Sequence, residues 1–207
     1  MSQAVITFPQ EHPRMTIEQW AGLDEDEEGE LVDGRLVKEE VPDGLHEVVV
    51  GLLITFFGRW LEDRAGVVLG SETKVAVSNG RGRKPDVSVY VGSDRKVPRR
   101  GALRRPPDIA IEVISPRPRD ARRDRVDKLA DYAAFGVRWY WIVDPRVRTV
   151  EIFTLNDEGR YVITVSAGGG AVSVPGCEGL SLDVDGLWRK LDSLLEEETP
   201  EDSGPQD

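Results

Sequence analysis

The chain has 207 residues, 39% of them hydrophobic, and its 27 Lys and Arg stand against 38 Asp and Glu for a net charge of −11. That length suits one domain with a sizeable core, and the acidic total argues against tight nonspecific binding of nucleic acid by the molecule as a whole. The longest nearly apolar run, Val48 to Phe57, is far shorter than the roughly 20 residues that span a bilayer, and the first residues lack a secretory pattern. A single cysteine, Cys177, excludes an intrachain disulfide and a Cys-rich metal site; the expectation is a cytoplasmic protein with no membrane partner.

The first 14 residues are expected to be a flexible segment, residues 15–195 one domain, and residues 196–207 an acidic disordered tail. Thr16-Ile17-Glu18-Gln19 has the form of a capping box and predicts a short helix ending near Gly22. Asp33-Gly34, flanked by Glu30-Leu31-Val32 and Arg35-Leu36-Val37, predicts a two-residue hairpin. From Leu45 to Arg64, apolar residues recur at spacings of three and four, the pattern of a long amphipathic helix stopped by Gly66. Val67–Val77 and the alternating Val87, Val89 and Val91 read as strands, and the mostly apolar Asp108–Ile114 reads as a central strand.

Asp120–Phe135 reads as a helix closed by Gly136. Trp139–Val143 and Thr149–Phe153 predict strands around the Asp144-Pro145 turn, Arg160–Val165 and Ala171–Val174 a further hairpin, and Leu187–Leu195 a last helix. The aromatic run Trp139-Tyr140-Trp141 is better explained by core packing than by base stacking. This order gives a mixed α/β (α+β) fold built on a partly antiparallel sheet flanked by helices.

Charge is strongly segmented along the chain. Glu18–Glu47 holds 12 acids and 2 bases, whereas Arg81–Arg125 holds 14 bases and 6 acids. A local excess of this kind matters more for binding than the total, and Arg117, Arg119, Arg122 and Arg123 are candidate nucleic-acid contacts. Inside that block lie two acids at telling positions: Asp86 follows Pro85 at the start of one strand, and Glu112 interrupts the apolar run of another. A carboxylate in a buried strand is tolerated when it is ion-paired or binds a metal. If the two strands are neighbours, the two acids converge and offer oxygen ligands to Mg2+ or Mn2+. An ion pair between Glu112 and an Arg of the basic block is the structural alternative. No Gly-x-Ser-x-Gly elbow exists for a Ser/His/Asp site, and only His12 and His46 are available.

Lys84-Pro85-Asp86 followed by Pro107-Asp108-Ile-Ala-Ile-Glu112-Val-Ile-Ser115-Pro116 resembles the PD-(D/E)xK restriction-endonuclease-like superfamily. With the Glu30-Leu-Val-Asp33-Gly34 hairpin, His46, Asp127-Lys128, Tyr132, Gly136-Val137 and Tyr140-Trp141-Ile-Val-Asp144-Pro145, the closer resemblance is to the bacterial Uma-two family, over about residues 15 to 190. It implies a restriction-endonuclease-like core and Mg2+-dependent hydrolysis of phosphodiesters, with DNA the expected substrate. The superfamily pattern places a lysine two residues after the second acid, where this chain has Ile114. The resemblance implies Lys128 as the substitute. A helix returning along the strand at 1.5 Å per residue can bring Lys128 level with the strand's middle; a solvated lysine paired with Asp124 or Asp131 is the alternative. Asp86, Glu112 and Lys128 are then the expected catalytic residues, with Glu30 and His46 in support. The rival readings are an inactive nuclease fold that binds nucleic acid and a protein-interaction module, and a homodimer is compatible with each.

Overall fold

In the computed structural model, which describes residues 14–24, 29–38, 42–93, 96–115 and 123–195, the local signals of the N-terminal third act as read. Helix α1 (Ile17–Ala21) is opened by a complete Thr16/Gln19 capping box. Strands β1 (Glu30–Val32) and β2 (Arg35–Val37) pair antiparallel, and Asp33 and Gly34 both take positive φ, as this two-residue turn requires. Helix α2 (Gly44–Leu61) is N-capped by Asp43, which accepts the His46 N–H at 2.8 Å.

The expected single strand from Val67 to Val77 divides in two. β3 (Gly66–Gly70) and β4 (Val75–Ser78) belong to different sheets, and a turn at Ser71-Glu72 separates them. β5 (Arg81–Arg83), β6 (Val87–Val91) and β7 (Ile109–Val113) follow. Next comes a π-helical segment, Arg123–Lys128, that runs directly into α3 (Leu129–Phe135), closed by Gly136 in the left-handed conformation. β8 (Trp139–Asp144), β9 (Thr149–Leu155), β10 (Tyr161–Ala167), β11 (Ala171–Ser173), β12 (Ser181–Asp183) and α4 (Val184–Asp192) complete the described chain. The expected hairpin between Arg160–Val165 and Ala171–Val174 does not form. β10 pairs with β9 instead, and β11 pairs with β12.

The main sheet has six strands in the order β10-β9-β8-β7-β6-β3, and a second sheet has the order β2-β1-β5-β4. Only β7 and β8 run parallel in the main sheet, so the chain between them must cross over a face, and α3 is that crossover. One face, with Val87, Val89, Ile109, Ile111, Val113 and Trp141, is covered by α2 and α4. The other, with Ala110, Tyr140 and Ile142, packs against Tyr132 of α3. Because helices or the second sheet cover both faces, every residue of β7 is buried. Trp20 anchors α1 under the second sheet together with Ile17, Leu31 and Ala76, and a Cβ placed on Gly82 would meet its ring at 2.2 Å. Mixed α+β sheets flanked by helices are therefore the observed architecture. The segment expected to be flexible lies outside the described residues except for Arg14, as does the whole acidic tail 196–207.

Candidate active site

Register brings the two acids together. β6 and β7 pair antiparallel with Val87 opposite Ile111, so Asp86, one residue before β6, comes beside Glu112. Asp86 Oδ2 accepts the Val113 N–H at 2.7 Å, which ties the acid to the strand that carries its partner. His46, at the head of α2, places Nε2 3.2 Å from the same oxygen. Burial disfavours a charge on His46, but the hydrogen bond and charge of Asp86, with Glu47, outweigh it and raise its pKa above the ordinary value.

Glu112 is 1% exposed. Its partners come from the crossover: Lys128 Nζ donates to Oε2 at 2.8 Å, and the Tyr132 hydroxyl donates to Oε1 at 2.6 Å. Lys128 and Tyr132 are four residues apart, the spacing that puts two side chains on one side of a helix. One turn earlier, Asp124 Oδ1 stands 3.3 Å from Lys128 Nζ. Tyr140, reaching across from β8, donates its hydroxyl to the Asp124 carbonyl at 2.9 Å and so holds the π-helical segment against the sheet. Lys128 is thus not solvated: it is buried among carboxylates, Asp124 among them. The partner of Glu112 is this lysine rather than an arginine. Burial pushes the Glu112 carboxyl up and Lys128 pulls it down, while Asp86, Asp124 and Glu30 push it up further, leaving it well above the usual carboxylate range.

Glu30 is near but differently engaged. It is fully buried, accepts Arg83 Nη1 at 2.6 Å and the Lys84 N–H at 3.0 Å, and lies 3.6 Å from Lys128 Nζ. Arg83, also fully buried, donates to Asp131 of α3 through Nε and Nη2 at 2.8 and 2.5 Å. Arg81, two residues earlier and hence on the same side of β5, donates to the other Asp131 oxygen at 2.6 Å. Burial weighs against the charge on Arg83, yet Glu30 and Asp131 more than offset it and its pKa is raised. This pair of arginines fastens the second sheet to the helix that carries Lys128. Sequence reading named Asp124 as a possible partner of Lys128 but missed Arg83, its pairing with Asp131, and the contact of Tyr132 with Glu112. The Asp124/Lys128/Tyr132 spacing and the alternation of Arg81 and Arg83 were the available signals.

Asp86 and Glu112 are the carboxylates that could hold a divalent cation. Among the described residues no group of three or more His, Cys, Asp or Glu is arranged as a metal-ligand set. Two carboxylates nonetheless suit Mg2+, which keeps several waters and binds through one or two carboxylates together with substrate phosphate oxygens. Each oxygen of Glu112 has a second lone pair beyond its present hydrogen bond. Burial is the main reason the Glu112 pKa is raised, and the field of Asp86, Asp124 and Glu30 that adds to it is what a cation would relieve. The basic candidates Arg117, Arg119 and Arg122 lie outside the described residues, and of Arg123 only the backbone is described.

A family model described as "Putative restriction endonuclease", Uma2, matches residues 15–185. A solved structure of a putative nuclease belonging to DUF820, from Anabaena variabilis, superposes with a TM-score of 0.69 at 18% identity, covering 86% of this chain and 99% of that one. No curated protein matches the chain. That structural likeness establishes a nuclease-like fold, and the family match spans the hairpin, both acidic strands and the crossover with Lys128: the chain belongs to the Uma2 family.

Proposed function

We propose that this protein is a Mg2+-dependent nuclease, also served by Mn2+, that hydrolyses phosphodiester bonds in DNA, with Asp86, Glu112 and Lys128 as its catalytic residues. The observation that carries the reading is the convergence of these three side chains, from the start of β6, from β7 and from the crossover, at one end of two interior strands of the main sheet. Asp86 and Glu112 would hold the cation. When bound there, a divalent cation lowers the pKa of a coordinated water and offsets charge on the phosphate in the transition state. Lys128 Nζ orients the attacking water and stabilises the developing negative charge. Tyr132 fixes the Glu112 carboxylate, and His46 fixes Asp86. Glu30 supports the site indirectly, through Arg83 and the Lys84 backbone. The basic residues Arg117, Arg119, Arg122 and Arg123 are the expected contacts to DNA phosphates.

The test is cleavage of supercoiled plasmid in Mg2+ or Mn2+ by the wild-type protein and by Asp86→Ala and Glu112→Gln. Metal-dependent nicking by the wild type that is lost in both variants supports the reading. Cleavage by neither wild type nor variants, with DNA still bound, points instead to an inactive nuclease fold that serves as a binding module.

A further inference from the structure

We propose that the cleft between the loop 96–105 and α1 receives the sugar-phosphate backbone of the DNA flanking the scissile phosphate, an inference that rests on the nuclease reading above. The cleft has a volume of about 1330 Å³ and is separate from the cluster around Glu112. Its floor is formed by Val67 of β3 and Tyr90 of β6, which are partners in the sheet register. Side chains alternate along a strand, so Tyr90 and Asp86 share a face of the sheet. At about 3.3 Å per residue they stand roughly 13 Å apart, the length of some four nucleotides of duplex at about 3.4 Å of rise each. One wall of the cleft includes Glu72, whose carboxylate holds Lys84 Nζ at 2.5 Å, two residues before Asp86. The cleft therefore opens alongside the strand that carries the first catalytic acid.

Glu18, Asp24 and Glu72 also line the cleft, but Lys74, Lys96, Arg99, Arg100, Arg104 and Arg105 outnumber them, and the free positive charge is on the other wall. Lys96, Arg99 and Arg100 line the cleft, are exposed, and make no ion pair among the described residues. Three such cations in a chain of net charge −11 fit a polyanionic partner better than the acidic protein surface around them. The loop that bears them is held at both ends of its second half. Leu103 is buried, accepts the Ala76 N–H and donates its own N–H to the Lys74 carbonyl, each at 2.8 Å, and the Tyr90 hydroxyl donates to the Arg105 carbonyl at 3.2 Å. These contacts anchor the C-terminal side of the loop beside the cleft floor, a few residues from Arg99 and Arg100.

The experiment measures binding of a fluorescein-labelled DNA duplex by anisotropy over about 50–200 mM salt, with Ca2+ replacing Mg2+ so that the duplex stays intact. The test variant is Lys96→Ala/Arg99→Ala/Arg100→Ala, and the control is Arg160→Ala/Arg189→Ala/Lys190→Ala, which removes three exposed cations elsewhere. The expected result is an affinity at least tenfold lower in the test variant and a salt slope smaller by about 3, roughly one for each phosphate that the variant no longer neutralises, with the control close to wild type. Equal affinity and slope in both variants, while wild-type protein still nicks plasmid, overturns the cleft and leaves the nuclease reading standing. Wild-type protein that neither binds the duplex nor nicks plasmid overturns both.

Discussion

At Lys128 three carboxylates meet one ammonium, and the consequences of removing it follow from that imbalance. Glu112, Asp124 and Glu30 stand 2.8, 3.3 and 3.6 Å from Nζ, so Lys128→Ala leaves buried acids without their cation. Breaking a buried pair from one side costs about 3–5 kcal/mol, and uptake of a proton by Glu112 will soften this. Lys128→Ala is therefore expected to lower both the melting temperature and the turnover, with DNA affinity changed much less, because the ammonium acts mainly on the transition state. Lys128→Arg keeps the charge but is expected to recover little activity, since the broader, planar guanidinium does not fit a site shaped for an ammonium. Assays must be run below the measured melting temperature of each variant, and DNA cleavage by Lys128→Ala at the wild-type rate would make the lysine purely structural. Lys74, at first sight a neutral control, is unsuited to that role. Its Nζ donates to the Trp20 and Leu23 carbonyls at the end of α1 and sits over the Trp20 ring; exposed Lys190 is the better choice. The positions of Asp86 and Glu112 were legible because a carboxylate is conspicuous in an apolar strand. Arg83 and Asp131 were not, because a charged residue in a charged stretch looks solvated until the fold buries it.

At the scale of elements, the crossover carries the most functional weight. A π-helical segment at Arg123–Lys128 changes the winding just before α3, and such segments recur at functional sites. Its one described tether to the sheet by a side-chain hydroxyl is Tyr140 on the Asp124 carbonyl. Tyr140→Phe removes that hydrogen bond, for which about 1 kcal/mol of stability is expected. Loosening the segment should also displace Lys128 and lower kcat more than it changes KM; a variant with unaltered kinetics would show that the tether does not position the site. Gly82 in β5 tests the seat of α1. Because a Cβ there collides with the Trp20 ring, Gly82→Ala should destabilise the protein by about 1–3 kcal/mol and shift Trp20 fluorescence; a stability equal to wild type would contradict the packing described. Element types were readable where a local signal is strong, as in the capping box at Thr16 and the Asp33-Gly34 turn. Strand partnership was not, since pairing depends on partners far along the chain. The expected hairpin joined Arg160–Val165 to Ala171–Val174, while the turn that does form joins β9 to β10 and is set by Asn156, whose Oδ1 accepts the Glu158 and Arg160 N–H groups at 3.0 and 2.9 Å.

Across the whole molecule, burial of weak acids sets the response to alkali. Burial pushes the Tyr132 and Tyr140 hydroxyls well above their ordinary 10.0, and burial, with a contribution from Asp108, pushes the Cys177 thiol from 9.0 to about 11. All three pKa values are raised on folding, so the unfolded chain loses these protons first. The stability tied to them is intact below pH 9 and is lost as the pH climbs through 9 and 10 toward the folded values. The melting temperature should therefore hold from pH 7 to 8.5 and fall steadily from pH 9 to 11; a flat profile across that range would contradict the burial of these groups. For the same reason Cys177, which is buried, should resist iodoacetamide at pH 8 and react only after unfolding. Charge segmentation was visible in the sequence, but its division between ion pairs at partly exposed Arg81 and buried Arg83 and an exposed cleft at Lys96, Arg99 and Arg100 needed the fold. The central claim, that Asp86 and Glu112 form one metal site, is tested most directly by a crystal soaked in Mn2+ and measured at the manganese absorption edge. The expected result is an anomalous difference peak bridging the two carboxylates in the wild type and absent in Asp86→Ala; a wild-type crystal with no peak between them, or with manganese held only elsewhere, would contradict it.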